Sequence, residues 1–404
     1  MDFGNYFSNR TSRMKASEIR ELLKLLEKPG IISFAGGIPD ANLFPDEALK
    51  AVAADALSEP GFALQYSVSE GYGPLRAWIV DHMRTLGVEC EIDNVLITSG
   101  SQQALDYLGK MLLSPDDTAL VEWPTYLGAL GAFNAYEPRY ERLWINDNRT
   151  AADITQAAHD AGGAVKFTYV TPEFSNPTGI TLTRAEREAL LQRAAELDCL
   201  ILEDCAYEGL RYDGEPVPPI LALEQAQGAE MNACRTLYCG TFSKTLAPGL
   251  RVGWVVAAKP MIDQLVLIKQ AADLHSSTLN QMMVAQVVQE GFYDHLAELR
   301  RCYGARRDAM LAALAQEMPE GVSWNTPEGG MFIWLTLPEQ VDCGELLRIA
   351  LEHHNVAFVP GQAFFADGSG KNTLRLSFSC ASLAQTDSGI HALGQAIRTY
   401  LAQG

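Results

Sequence analysis

A chain of 404 residues can bury more than one core, and 48% hydrophobic with 20% charged residues describes an ordinary globular protein rather than a disordered or stapled one. The formal net charge of −19 repels phosphate backbones and anionic lipid, which argues against nucleic acid or membrane as a partner of the whole chain. An anionic substrate must therefore meet locally placed arginines. Met1 to Arg13 is polar without the apolar core of a signal peptide, and no run approaches a membrane-spanning length, so a cytoplasmic location is expected. The cysteines (Cys90, Cys199, Cys205, Cys234, Cys239, Cys302, Cys343, Cys380) are scattered, with no CxxC pair, and read as reduced, mostly buried thiols. His353 and His354 diverge if helical, and no metal site is expected.

In chain order, Met14 to Leu26 reads as an amphipathic helix, followed by the glycine-rich turn Phe34-Ala35-Gly36-Gly37-Ile38-Pro39. Short apolar runs at Val95 to Thr98, Ala119 to Glu122, Val165 to Val170, Leu200 to Glu203, Leu237 to Gly240 and Val252 to Val256 predict buried strands. Helical patterns at Gln102 to Leu113, Thr125 to Ala132, Arg184 to Leu197 and Met261 to Gln270 lie between them. Alternation of this kind predicts a wound α/β domain with a mostly parallel sheet. From about Leu279 a long helical stretch leads to strand-like Met331 to Leu335, Val356 to Val359 and Leu374 to Phe378, with Cys343 to Glu352 and Ser388 to Leu401 helical. This predicts a second, smaller α+β domain.

Chemistry concentrates at Gly240-Thr241-Phe242-Ser243-Lys244-Thr245-Leu246-Ala247-Pro248-Gly249-Leu250-Arg251, where one lysine sits among hydroxyls with an arginine shortly after. A lysine that holds an aldehyde cofactor as a Schiff base needs apolar walls, and that cofactor's phosphate needs hydroxyls and a guanidinium; pyridoxal phosphate (PLP) meets both conditions. Thr98-Ser99-Gly100-Ser101-Gln102-Gln103 follows a strand and opens a helix, a natural anion site that alone reads as an ordinary serine cap. Leu202-Glu203-Asp204-Cys205-Ala206-Tyr207 places a carboxylate at the carboxyl end of a strand, where a protonated pyridine nitrogen would balance it. Glu203 points to the opposite face by strand alternation. Phe174-Ser175-Asn176-Pro177-Thr178-Gly179 predicts a turn, and Trp123-Pro124-Thr125-Tyr126 offers aromatic faces that serve equally well in a core.

Together these segments, in order and over nearly the whole chain, resemble the class I/II aminotransferases of PLP fold type I. The resemblance implies a large wound, mostly parallel sheet domain over 46–285, a small α+β domain over 286–404, and an N-terminal arm with a lid helix over 1–45. It implies that Lys244 binds the cofactor covalently and then moves the proton at the substrate Cα. Asp204 would pair with the pyridinium, Asn176 and Tyr207 would hydrogen-bond the ring hydroxyl, and Tyr126 would stack on the ring. Ser101, Gln102, Thr241, Ser243 and Arg251 would cradle the phosphate. Tyr66 would reach the phosphate of a partner subunit, making a homodimer with shared active sites. Arg375 would grip the substrate α-carboxylate, with Asn176, Gly37, Arg20 and Ser17 completing the substrate site.

Met14-Lys15-Ala16-Ser17-Glu18-Ile19-Arg20-Glu21-Leu22 and Ser33-Phe34-Ala35-Gly36-Gly37 are most similar to the 2-aminoadipate and kynurenine aminotransferase group. In that group the arginine matching Arg20 can meet a substrate's distal carboxylate. On a helix the neighbours of Arg20 would be Ala16, Ser17, Leu23 and Lys24, none of them a carboxylate, although a plain exposed arginine fits the same pattern. Cys205 departs from the acidic residue common at this place in relatives. The expected activity is transfer of an amino group from 2-aminoadipate, glutamate, or an aromatic or bulky apolar amino acid to 2-oxoglutarate by a ping-pong mechanism. The alternatives are a PLP-dependent carbon–sulfur β-lyase and a non-catalytic ligand-sensing module.

Overall fold

The structure, a computed structural model, describes residues 3–14, 30–143 and 149–402. A short strand β1 (Ile32–Ser33) precedes the main sheet. That sheet contains β2 (Val95–Thr98), β3 (Thr118–Val121), β4 (Arg139–Arg142), β5 (Val165–Val170), β6 (Leu200–Asp204), β7 (Thr236–Thr241) and β8 (Gly253–Val256), in spatial order β2-β8-β7-β6-β5-β3-β4. All neighbours are parallel except β8, which runs antiparallel to both β2 and β7. Every residue of β2, β3, β7 and β8 is buried, as a sheet covered on both faces requires. Leu96 and Val255 pack into one core with Leu105 and Leu265, while Val95, Ile97, Trp254 and Val256 pack into the other with Leu75 and Leu221. Successive side chains thus serve opposite layers.

β4 escapes a sequence reading based on apolar runs because Arg139-Tyr140-Glu141-Arg142 is a polar edge strand. The orientation of β8 is likewise invisible in an apolar pattern, since parallel and antiparallel strands bury the same residues.

The helix Thr278–Glu317 crosses residue 285 and contains one non-helical residue, Gly291. Beyond it, β9 (Ser323–Trp324), β10 (Phe332–Thr336), β12 (Val359–Pro360) and β13 (Thr373–Ser377) form an antiparallel sheet in the order β12-β13-β10-β9. The single strand expected over Val356 to Val359 is two. β11 (Val356–Ala357) pairs in parallel with β1, and β12 pairs with β13, because the chain changes partners at the buried Phe358. The expected helix over Met14 to Leu26 lies outside the described residues from Lys15 onward.

The carboxyl ends of β2, β3, β5, β6 and β7 share one edge of the sheet, and β8, running the other way, begins there. Open α/β sheets bind ligands at such an edge.

Candidate active site

Directly after β7, the turn brings Lys244 inward until its Nζ donates to the carbonyl of Gly37 at 3.0 Å. The ammonium lies 5.8 Å from the centre of the Tyr207 ring. Burial, with the nearby Arg375 and Arg251 charges, lowers its pKa to about 8, against the opposing pull of Asp204.

Asp204 closes β6 with its side chain buried, and Oδ2 accepts from the Tyr169 hydroxyl at 2.8 Å. Oδ1 is also buried but has no hydrogen-bond partner. Desolvation raises the carboxyl to about 6, with the Tyr169 hydrogen bond and Lys244 pulling the other way. Glu203 faces the opposite layer, as alternation predicts, and accepts from the backbone N–H groups of Ile220 (2.6 Å) and Leu221 (3.1 Å). Tyr169 was not singled out by sequence. Its signal was register: it sits opposite Leu202, two residues before Asp204, and so shares that face.

At the end of β2, Gly100 adopts φ +82° as the residue before the helix Ser101–Leu112, whose first N–H groups point out of the helix end. Arg251 reaches the same turn and donates from Nη2 to the carbonyl of Ser99 at 3.0 Å. A side chain at Gly100 would collide with this guanidinium, its Cβ lying 2.5 Å from Nη2. The Thr241 and Ser243 hydroxyls stand 2.9 Å apart beside it. Gln102 turns its amide to the carbonyl of Gly128 at 2.7 Å instead of toward the turn.

Arg375 comes from β13 and is almost completely buried, with Phe332 and Phe364 against its guanidinium at 4.2 and 5.0 Å from their ring centres. It donates to Asn176 Oδ1 at 2.6 Å and to the carbonyl of Ala35 at 2.9 Å, while Nε has no partner. Burial lowers its pKa to about 10. Asn176 Nδ2 in turn donates to the Tyr207 hydroxyl at 3.3 Å. Gly37 belongs to this group, since a Cβ there would fall 3.1 Å from the Phe332 ring and 3.6 Å from Arg375 Nη2. Tyr126 precedes the helix Leu127–Asn134, close enough to Tyr169, Tyr207 and Arg375 to act on the titration of each.

Of the remaining sequence candidates, Tyr66 is 80% exposed and meets the ring of His275 edge-on at 5.9 Å. Ser17 and Arg20 lie outside the described residues.

These groups fit pyridoxal phosphate. A buried carboxylate oxygen without a partner suits a protonated ring nitrogen, a lysine with a depressed pKa suits an aldehyde, and a helix start with hydroxyls and Arg251 suits a phosphate.

Comparison with known proteins gives the family. The family model "Aminotransferase class I and II" matches residues 29–393. The aromatic-amino-acid aminotransferase 1 of Thermococcus litoralis is 42% identical, with 98% of this chain and 95% of that protein covered. The 2-aminoadipate transaminase of Thermus thermophilus is also 42% identical, over 100% of this chain and 99% of that protein. The solved structure of a Thermus thermophilus α-aminoadipate aminotransferase, complexed with N-(5'-phosphopyridoxyl)-L-leucine, superposes with a TM-score of 0.89 at 40% identity, covering 100% of both chains. The chain belongs to the class I and II aminotransferases, as a PLP-dependent enzyme of fold type I.

Proposed function

We propose that this aminotransferase takes the amino group from 2-aminoadipate, glutamate, or aromatic and bulky apolar L-α-amino acids and gives it to 2-oxoglutarate in a ping-pong cycle. The observation that carries the reading is the state of Arg375. It is a buried guanidinium whose bonds, among the described residues, go only to neutral oxygens, with Nε unpaired, so its charge calls for an anion. An α-carboxylate, the one group shared by all these substrates, fits its planar fork.

When bound, the cofactor supplies an electron sink for the bond broken at the substrate Cα. Lys244, with a pKa of about 8, is matched to taking and returning the Cα proton near neutral pH. Asp204 would hold the positive ring nitrogen, Asn176 and Tyr207 the ring hydroxyl, and Ser101, Thr241, Ser243 and Arg251 the phosphate, with Gln102, whose side chain is turned to Gly128, contributing through its backbone N–H at the helix start. Phe332 and Phe364 keep water from the carboxylate fork. The exposure of Tyr66 supports a role in a homodimer, where it reaches the partner's phosphate. The donor range is supported by the 2-aminoadipate and aromatic amino acids named for the relatives and by the leucine adduct of the solved neighbour. Arg20 is assigned to a distal carboxylate on sequence similarity, with Ser17 beside it and Gly37 leaving space for the substrate.

The test is a half-reaction. PLP-loaded protein receives 2-aminoadipate, phenylalanine or leucine without an oxo acid, and the cofactor spectrum and released oxo acid are followed. About one equivalent of oxo acid per site, with a matching spectral change, is expected for each donor. No change with all three would overturn the reading. Pyruvate and ammonia from cysteine conjugates would favour a β-lyase.

A further inference from the structure

Lys269 is the one lysine with no exposed surface among the described residues, and none of the roles above uses it. Its Nζ donates to both oxygens of Asp273 (2.9 and 3.1 Å), to Gln103 Oε1 (3.1 Å) and to Ser276 Oγ (3.0 Å). Asp273 also accepts from Gln103 Nε2 at 2.7 Å, Tyr107 Oη at 3.0 Å and Ser99 Oγ at 3.3 Å. The Lys269 ammonium is fully buried while its partner Asp273 keeps 30% of its side chain exposed, and taking the lysine charge out of water is costly, so that an apolar side chain of similar volume often serves stability as well or better. The worth of the pair here lies in what it holds.

The cluster converges on Ser99. The Ser99 N–H donates to Gln103 Oε1 at 2.8 Å, and its hydroxyl lies 3.0 Å from Ser276 Oγ and within reach of Asp273. Its carbonyl accepts from Arg251 at 3.0 Å. All three polar groups of one residue are thereby engaged, immediately before the Gly100–Ser101 helix start. A small shift of Ser99 would move the helix-start amides and the Arg251 fork together.

We propose that Lys269 and Asp273 are positioning residues for the cofactor phosphate: with Gln103 and Ser276 they fix Ser99, and through it the two halves of the phosphate cradle. The proposal rests on the assignment of Ser101 and Arg251 to that phosphate.

The experiment compares PLP with pyridoxal, the same aldehyde without its phosphate, each titrated into full-length protein stripped of cofactor and followed by absorbance and protein fluorescence. In Lys269→Met/Asp273→Leu, PLP affinity is expected to fall roughly tenfold, the scale of one or two charge-assisted hydrogen bonds, while pyridoxal affinity stays at the wild-type value. Unchanged PLP affinity, or equal weakening of both ligands, would overturn the proposal, the second because it reports a general structural role. If the double variant does not fold, Ser99→Ala leaves the ion pair intact, cuts the hydroxyl link and is held to the same two outcomes. Wild-type protein that binds PLP and pyridoxal alike would instead overturn the cradle assignment, and the proposal with it.

Discussion

Arg375 and Asn176 are joined by a 2.6 Å hydrogen bond across 199 positions of sequence. One belongs to the antiparallel sheet of the C-terminal part, the other to the loop after β5. Asn176 also donates to Tyr207, so the proposed grip on the substrate carboxylate is coupled to the proposed grip on the cofactor ring. Arg375→Ala should lower kcat/KM by roughly 10²-fold, the loss expected for a bidentate charged contact, and should do so equally for leucine and 2-aminoadipate. Arg375→Lys should rescue little, because an ammonium cannot reproduce the fork. Steady-state kinetics with both donors checks this.

Arg20→Ala should behave differently. If Arg20 meets a distal carboxylate, kcat/KM for 2-aminoadipate should fall roughly tenfold or more while leucine is spared, as for loss of one charged hydrogen bond. Equal losses for the two donors would remove Arg20 from that role.

With Lys244 as the proposed cofactor lysine, its depressed pKa should make cofactor capture pH-dependent. Only the neutral amine attacks an aldehyde, so the capture rate should rise with pH and level off above about 8. Burial is the main cause, and the Arg375 charge adds to it. Arg375→Gln should therefore move the midpoint to higher pH, which stopped-flow absorbance can follow. Lys244→Ala should abolish covalent attachment and reduce turnover by at least about 10³-fold, within the usual range for losing a general base.

Tyr169 helps keep Asp204 ionised. Its hydrogen bond opposes the desolvation that lifts the carboxyl to about 6, so Tyr169→Phe should push that pKa higher. An acid-side loss of cofactor affinity should then begin at higher pH, with weaker binding near pH 6 to 7 and wild-type binding near pH 8. Equilibrium titrations of PLP across this range check the direction. A uniform loss at every pH would mean that Tyr169 acts by packing.

Gly100→Ala should damage the phosphate cradle. At φ +82° and ψ 164° an L side chain is strained, by about 1–3 kcal/mol for such regions, and its Cβ would displace the Arg251 guanidinium from 2.5 Å. Thermal stability and PLP affinity should both fall, measured by unfolding midpoint and by titration. Unchanged PLP affinity would show that Arg251 relocates without consequence.

The gathering of the proposed cofactor residues was legible because they are local to strand ends. The motifs holding Ser101, Asn176, Asp204 and Lys244 each follow or end a short apolar run, and a parallel sheet necessarily brings those ends to one edge. The opposite facing of Glu203 and Asp204 followed from the two-residue period of a strand. The polar edge strand β4 was missed because it carries no apolar run. The split of Val356 to Val359 was missed because one buried run serves two partners.

The sequence by itself determined the fold class and the order of the elements and singled out the lysine proposed to receive the cofactor, since these depend on periodicity and on motifs a few residues long. Only the tertiary structure decided what surrounds them. The antiparallel entry of β8 brings Arg251 to Ser99, Tyr169 comes under Asp204, and Lys269 with Asp273 closes behind the helix start. Arg375 likewise depends on one backbone carbonyl and one side-chain amide more than a hundred residues away. These are long-range pairings between polar groups buried in one place, and a buried donor must find an acceptor wherever the chain brings one. No local pattern encodes which acceptor that will be.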